Sequence, residues 1–444
     1  MIDRLKRIPG VVAEQGLEVL RWCVLAVLIG AAVALAMFVL VAETGYLWGL
    51  VQAVGPWGPY VCPLLAAAIV GVTAYRLWPA SRGAGMPDYV YAVNTRQGYV
   101  HRWMILGKLF ASVLTLGSGL VGGFIGPGAV IGGGLGAQIG RRLRWLFPRT
   151  FHRRRDVRLA TVCGCAAAVC ALLNAPIGAA IFAVEVLFVA SIHYEYFFPA
   201  AMASAVAYGV TRLLPVLPDL VQAPVLTLTW PAFWVVLATT AVVTLVGLWF
   251  VWLYQSVHAR AVRWRRPRWL GPLLGATAGV AVVFLAARCC GPEAGERLRP
   301  TALVLGWLTD PAAPALAAVA VLALGKALAA AFVVGSGNSG GLTGPTIVIG
   351  AAGGVLVAGL LGAVDPAIRS AACAAGIAAA LAAVLNVPIA ACVIVTEIFG
   401  ISYAVPALIG SVIAYKTAKP VFLYEHVIAD PRSRFSRRRR RRGG

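Results

Sequence analysis

The 444-residue chain is 60% hydrophobic and only 12% charged, with a mean hydropathy of +0.85. That balance excludes the two or three soluble domains the length alone would allow. It defines a polytopic membrane protein, because runs such as 20–42, 230–254 and 312–334 exceed the ~20 apolar residues a spanning helix needs. The formal charge of +22 invites a nucleic-acid role. The basic residues, however, collect in Arg141–Arg158, Arg260–Arg268 and Arg432–Arg442, beside apolar runs, as cytoplasmic loops and tails do, so no nucleic-acid partner is expected.

Residues 1–18 read as a short cytoplasmic lead. Arg4, Lys6 and Arg7 before an apolar stretch imitate a signal peptide, but the stretch from residue 19 runs too long for one and is read as the first spanning helix, to about residue 42. A second apolar segment covers 47–78, and a polar stretch at 79–102 contains GAGMPDY (83–89). Residues 103–121 lead into GSGLVGGFIGPGAVIGGGLG at 117–136. A basic segment follows, then an apolar block from Leu159 to about Ile192.

The glycine stretch occurs twice. Residues 335–354 read GSGNSGGLTGPTIVIGAAGG, and each copy has the lead-in Leu-Gly-Lys at 106–108 and 324–326, 218 positions apart. LNAPIGAAIFAVEVLF (173–188) likewise matches LNVPIAACVIVTEIFG (385–400), and PAAMASAVAY (199–208) matches PALIGSVIAY (406–415). Matched blocks in one order identify an internal repeat, with halves at about 40–215 and 230–424 joined by a basic connection at 255–269. The loop at 141–158 carries eight arginines, whereas its partner near 360–369 holds only Asp365 and Arg369. Equivalent loops therefore fall on opposite sides of the membrane. The expected fold is all-α, with two inverted-topology repeats whose broken helices start near the bilayer midplane.

Gly-Gly, two variable residues and Gly-Pro break one helix and begin another, since proline suits a first helical turn. The new helix presents unpaired N–H groups with a positive dipole end behind them, which outlines an anion site. Small residues at four-residue spacing, Gly132, Gly136 and Gly140 in one repeat and Gly350, Gly354 and Ala358 in the other, are read as close-packing faces. Nine cysteines and five histidines show no ligand spacing, so no metal and no cofactor are expected. No catalytic constellation is visible, and an enzyme is not expected.

In these motifs the chain resembles the CLC family of chloride channels and chloride/proton exchangers, over roughly 40–424. GAGMP (83–87), GFIGP (123–127) and GLTGP (341–345) stand where that family has GSGIP-like, GREGP-like and GxFxP-like segments, with the NAPIG block and AYKTAKP in order. The resemblance implies an anion site formed by Ala84, Gly85 and Met86, by Gly123, Phe124, Ile125 and Gly126, and by Leu342, Thr343 and Gly344. The family tyrosine falls on Phe422 or Tyr424. It also implies a homodimer with one pore per subunit, chloride as the ligand, a lipid surround and a prokaryotic inner membrane with cytoplasmic termini. The basic stretch 425–444 is expected to be a disordered tail, with no C-terminal regulatory domain.

The departures concern side chains. Ala84 replaces the family serine, and Phe124–Ile125 replace the arginine and the gating glutamate of the exchangers. Their second proton-path glutamate aligns with Val186, beside Glu185. Isoleucine and valine carry no proton, whereas backbone donors survive any side-chain change. The expectation is a passive anion pathway without proton coupling. Two alternatives stay open: an anion/proton antiporter using other residues such as Glu185 or Tyr424, and a non-transporting scaffold or sensor. Glu185 and Glu397, matched in the repeats, are read as helix-end contacts or as a route for ions, and Lys108 and Lys326 as partners of loop carbonyls or as attractors of anions.

Overall fold

The computed structural model describes residues 2–143, 153–188, 193–214, 221, 223–263, 267, 269–299, 304–310, 314–363 and 365–418. The first half forms α1 (Ile2–Ala53), α2 (Gly58–Arg76), α3 (Met86–Thr95), α4 (Arg102–Gly117), α5 (Ile125–Leu143), α6 (Arg153–Leu173), α7 (Pro176–Glu185) and α8 (Tyr194–Arg212). The second forms α9 (Trp230–Arg263), α10 (Leu270–Cys290), α11 (Pro292–Arg297), α12 (Val304–Leu308), α13 (Leu316–Gly335), α14 (Thr343–Leu360), α15 (Pro366–Leu385), α16 (Pro388–Phe399) and α17 (Ala404–Ala418). Among the described residues, nine helices are long and apolar enough to cross a membrane. The first helix differs from the hydropathy pattern. It is continuous from Ile2, through the expected lead, and passes residue 42 to end at Ala53, where Gly55 turns the chain at φ +109° into α2.

Helices pair across the halves as the sequence repeats do: α4 with α13, α5 with α14, α6 with α15, α7 with α16 and α8 with α17. Their inverted relation is visible at α2. The loop that follows α2 contacts the second half near the start of α10, since Gly83 N–H donates to Gly337 O (3.3 Å) and Asn338 Nδ2 donates to Pro272 O (2.8 Å). Beyond α10, the segment after the short α11 contacts the start of α2, where both terminal nitrogens of Arg299 donate to Pro59 O at 3.3 Å. Helices α2 and α10 are therefore antiparallel, and the repeats are upside down relative to each other.

Close helix approach holds each half together. A methyl group on Gly132 would lie 2.4 Å from Gly164 O, and one on Gly350 would lie 2.5 Å from Gly376 O. The α5–α6 and α14–α15 pairs thus touch backbone to backbone, which in lipid supplies packing that a hydrophobic effect between helices cannot. Helices α6 and α15 are almost wholly enclosed by their neighbours. They form a rigid backing against which the shorter helix starts are set.

Candidate anion site

The two glycine stretches meet. Gly123 and Gly341 exchange both backbone hydrogen bonds, Gly123 N–H to Gly341 O at 2.8 Å and Gly341 N–H to Gly123 O at 2.6 Å, as an isolated antiparallel bridge. Two residues further on, α5 begins at Ile125 and α14 at Thr343. Each frame spends its second glycine on the bridge and its Gly-Pro on the first helical turn. The chain can make both because neither step needs a side chain.

The third loop packs against the other two. Gly85, at φ +78°, precedes α3, and a methyl there would lie 2.5 Å from Gly126 O. A methyl on Gly126 would sit 1.9 Å from Ala84 O and 2.8 Å from Gly341 Cα. The segments 84–86, 123–126 and 341–344 are thus in van der Waals contact, and three helix starts converge on one point. Ala84, Met86, Ile125, Leu342 and Thr343 are buried, whereas Phe124 is partly exposed. Phe422 and Tyr424 lie outside the described residues.

Thr343 is chemically distinct among these. It is 1% exposed and its Oγ1 has no hydrogen-bond partner among the described residues. A buried hydroxyl without a partner costs roughly 1–3 kcal/mol, which a bound acceptor would repay. The neighbouring Thr346 shows the contrast, since its hydroxyl donates to Leu342 O at 2.9 Å.

The surrounding polar groups brace the loops. Lys108 is fully buried, and its Nζ donates to the carbonyls of Gly83 (2.7 Å), Ser81 (3.2 Å) and Arg82 (3.3 Å). Lys326 does the same in the other repeat, to Leu298 O (2.8 Å) and Arg299 O (3.3 Å). Both lysines thus pair with loop carbonyls, one of the two readings open from sequence. One turn beyond Lys108, Ser112 shares a 2.9 Å hydrogen bond with Ser339 of the other half. Sequence reasoning had no signal for that pairing, because the two serines stand 227 positions apart.

Glu185 and Glu397 lie away from this point. Glu185 accepts from the N–H groups of Ile389 (3.1 Å) and Ala390 (2.7 Å), at the start of α16. Glu397 accepts from Ile177 (2.9 Å) and Gly178 (2.8 Å), at the start of α7. Val186, just beyond α7, is buried among apolar side chains.

An all-helical membrane protein with inverted repeats and three convergent helix starts has the architecture of an anion transporter. The Voltage gated chloride channel family profile matches residues 66–419, and the chain belongs to that family. It is 27% identical over 375 residues to the voltage-gated ClC-type chloride channel ClcB of Escherichia coli, covering 83% of this chain and 85% of that protein. It is 28% identical over 313 residues to the H(+)/Cl(-) exchange transporter ClcA of Cronobacter sakazakii, covering 66% of this chain and 62% of that protein. Its fold matches the crystal structure of a CLC-type fluoride/proton antiporter with a TM-score of 0.76 at 20% identity, over 93% of this chain and 98% of the other.

Proposed function

We propose that the protein is a passive pathway for small anions, chloride foremost, that does not couple their movement to protons. The observation that carries this reading is Ile125 at the start of α5, buried against the bridge between the repeats. The resemblance puts the exchangers' gating carboxylate there. An isoleucine cannot take up a proton or swing as a charged gate, while the N–H groups of α3, α5 and α14 persist whatever side chains they carry. Thr343 adds a hydroxyl donor, and Val186 removes the second titrating position.

Proton/anion antiport is the second reading, favoured by the similarity to the H(+)/Cl(-) exchange transporter ClcA and to the fluoride/proton antiporter. Glu185 is its best remaining carrier. Both oxygens of that carboxylate already accept backbone hydrogen bonds from α16, which supports a fixed role instead. A non-transporting scaffold would leave the hydroxyl of Thr343 without a purpose.

The family resemblance extends the proposal to a homodimer, for which Ile177, Ile389, Phe198, Leu408 and Val412 offer exposed apolar surface. It also extends to a cell membrane in which the arginine-rich end faces the cytoplasm. That end gathers Arg96, Arg102, Arg141 and Arg142 around the close of α3 and α5 and the start of α4.

The test is flux in proteoliposomes under a chloride gradient with a pH gradient imposed. The expected reversal potential ignores the pH gradient. A potential that moves with it establishes antiport, and folded protein with no anion flux establishes the scaffold.

A further inference from the structure

Arg299 is a buried cation that the site described above does not use. It is 4% exposed, on the segment between α11 and α12, outside the spanning helices. No carboxylate among the described residues forms an ion pair with it. Its guanidinium lies 4.4 Å from the centre of the Trp48 ring, and both terminal nitrogens donate to the one carbonyl of Pro59. Its Nε–H is buried with no hydrogen-bond partner among the described residues. Burial lowers its pKa to about 10, with Tyr60 and the exposed Glu296 opposing that shift, so the group is charged at neutral pH. A buried charge with five N–H donors and a single carbonyl acceptor is under-satisfied in a way that an anion would correct.

Its place in the repeat is equally specific. Arg299 follows α10 as Arg82 follows α2, and the carbonyls beside each are gripped by the matched lysines Lys326 and Lys108. In the first repeat that loop leads to the start of α3 at the anion site. The second-repeat loop lies at the opposite end of α2. There Gly119, at φ +94°, leaves no room for a side chain, since a methyl would lie 2.3 Å from Arg299 Nη1. The guanidinium therefore rests directly on the segment that runs from α4 to the Gly123–Gly341 bridge.

We propose that Arg299 forms a second small-anion site, of halide size, at the mouth of the pathway opposite the arginine-rich end. The Nε–H and the free terminal N–H groups are its donors, and Trp48 and Gly119 are its walls. The site takes an anion before it reaches the helix starts. Its role in transport rests on the reading above; its binding does not.

Crystals of the protein grown in bromide and read by anomalous scattering test it. Density is expected within hydrogen-bonding reach of the Arg299 guanidinium, lost in Arg299→Gln and retained in Arg297→Gln, which removes a neighbouring charge that already pairs with Glu293 at 2.7 Å. In liposomes, Arg299→Gln should raise the half-saturating anion concentration from that side alone by about 10- to 150-fold, the range for one lost charged hydrogen bond. Wild-type crystals without density at Arg299 overturn the inference, whether or not density appears at α5 and α14. Density at Arg299 with none at the helix starts keeps the inference and sinks the assignment of the main site. The wild-type result decides the matter even where the glutamine variant fails to fold.

Discussion

Glu185 and Glu397 cap each other's helices. The carboxylate that ends α7 holds the first N–H groups of α16, and the carboxylate near the end of α16 holds those of α7. The two short helices run antiparallel, close enough that a methyl on Gly178 would meet Ile394 N at 2.8 Å. Each acid thus neutralises a positive dipole end and satisfies donors that lipid cannot.

Removing either acid should cost stability before it costs anything else. Glu185→Ala strips both N–H groups of a charged acceptor, a loss of about 1.5–3 kcal/mol. Glu185→Gln keeps one acceptor oxygen and should lose less. Thermal unfolding in detergent measures both, and the same order is expected for Glu397. A glutamine variant that unfolds normally yet changes the pH dependence of flux would transfer Glu185 to the proton path.

Ile125→Glu should make anion flux depend on pH. An ionised carboxylate at the start of α5 competes with the anion for the same donors, so flux is expected to fall as pH rises through that carboxyl's pKa and to recover as pH falls. Flux in liposomes at several pH values checks this. Unchanged flux at every pH removes Ile125 from the path.

Thr343→Val tests the hydroxyl by itself. The substitution keeps the shape and removes an Oγ1 that bonds nothing among the described residues, so stability should hold or rise slightly. Anion affinity should weaken by about 5- to 10-fold, one lost hydrogen bond. Thr346→Val is the control. It gives up the bond to Leu342 O, lowers stability by about 1 kcal/mol and leaves affinity in place.

Gly126→Ala should disrupt the site through space alone. Its methyl would stand 1.9 Å from Ala84 O, a backbone atom that moves only with its whole loop. Overpacking of this kind costs about 1–3 kcal/mol or more. Loss of anion flux with a lowered melting temperature is expected. Gly209→Ala, which meets nothing within 4 Å, should be tolerated.

Much of the architecture was legible before any coordinates. Three matched blocks fixed the repeat, and the eight arginines at 141–158 against one in the partner loop gave the inversion that α2 and α10 display. Gly-Pro in an apolar context marked where α5 and α14 begin, with Pro127 and Pro345 in their first turns, because the backbone chemistry is local. The first helix was less well read. Hydropathy falls off on both sides of the apolar core of α1, although the helix itself continues to Ile2 and to Ala53.

The composition, the duplicated frames and the variable pairs inside them, Phe124–Ile125 and Leu342–Thr343, belong to the sequence, since periodicity and side-chain chemistry need no tertiary contact to be recognised. Only folding decided which groups meet. The Gly123–Gly341 bridge, the exchange of caps between Glu185 and Glu397, and the unpartnered donors of Thr343 and Arg299 all depend on residues from opposite repeats or distant loops. A linear chain specifies a donor. Whether that donor is satisfied is settled by what the other half of the molecule brings to it, and in a membrane no water stands ready to make up the difference.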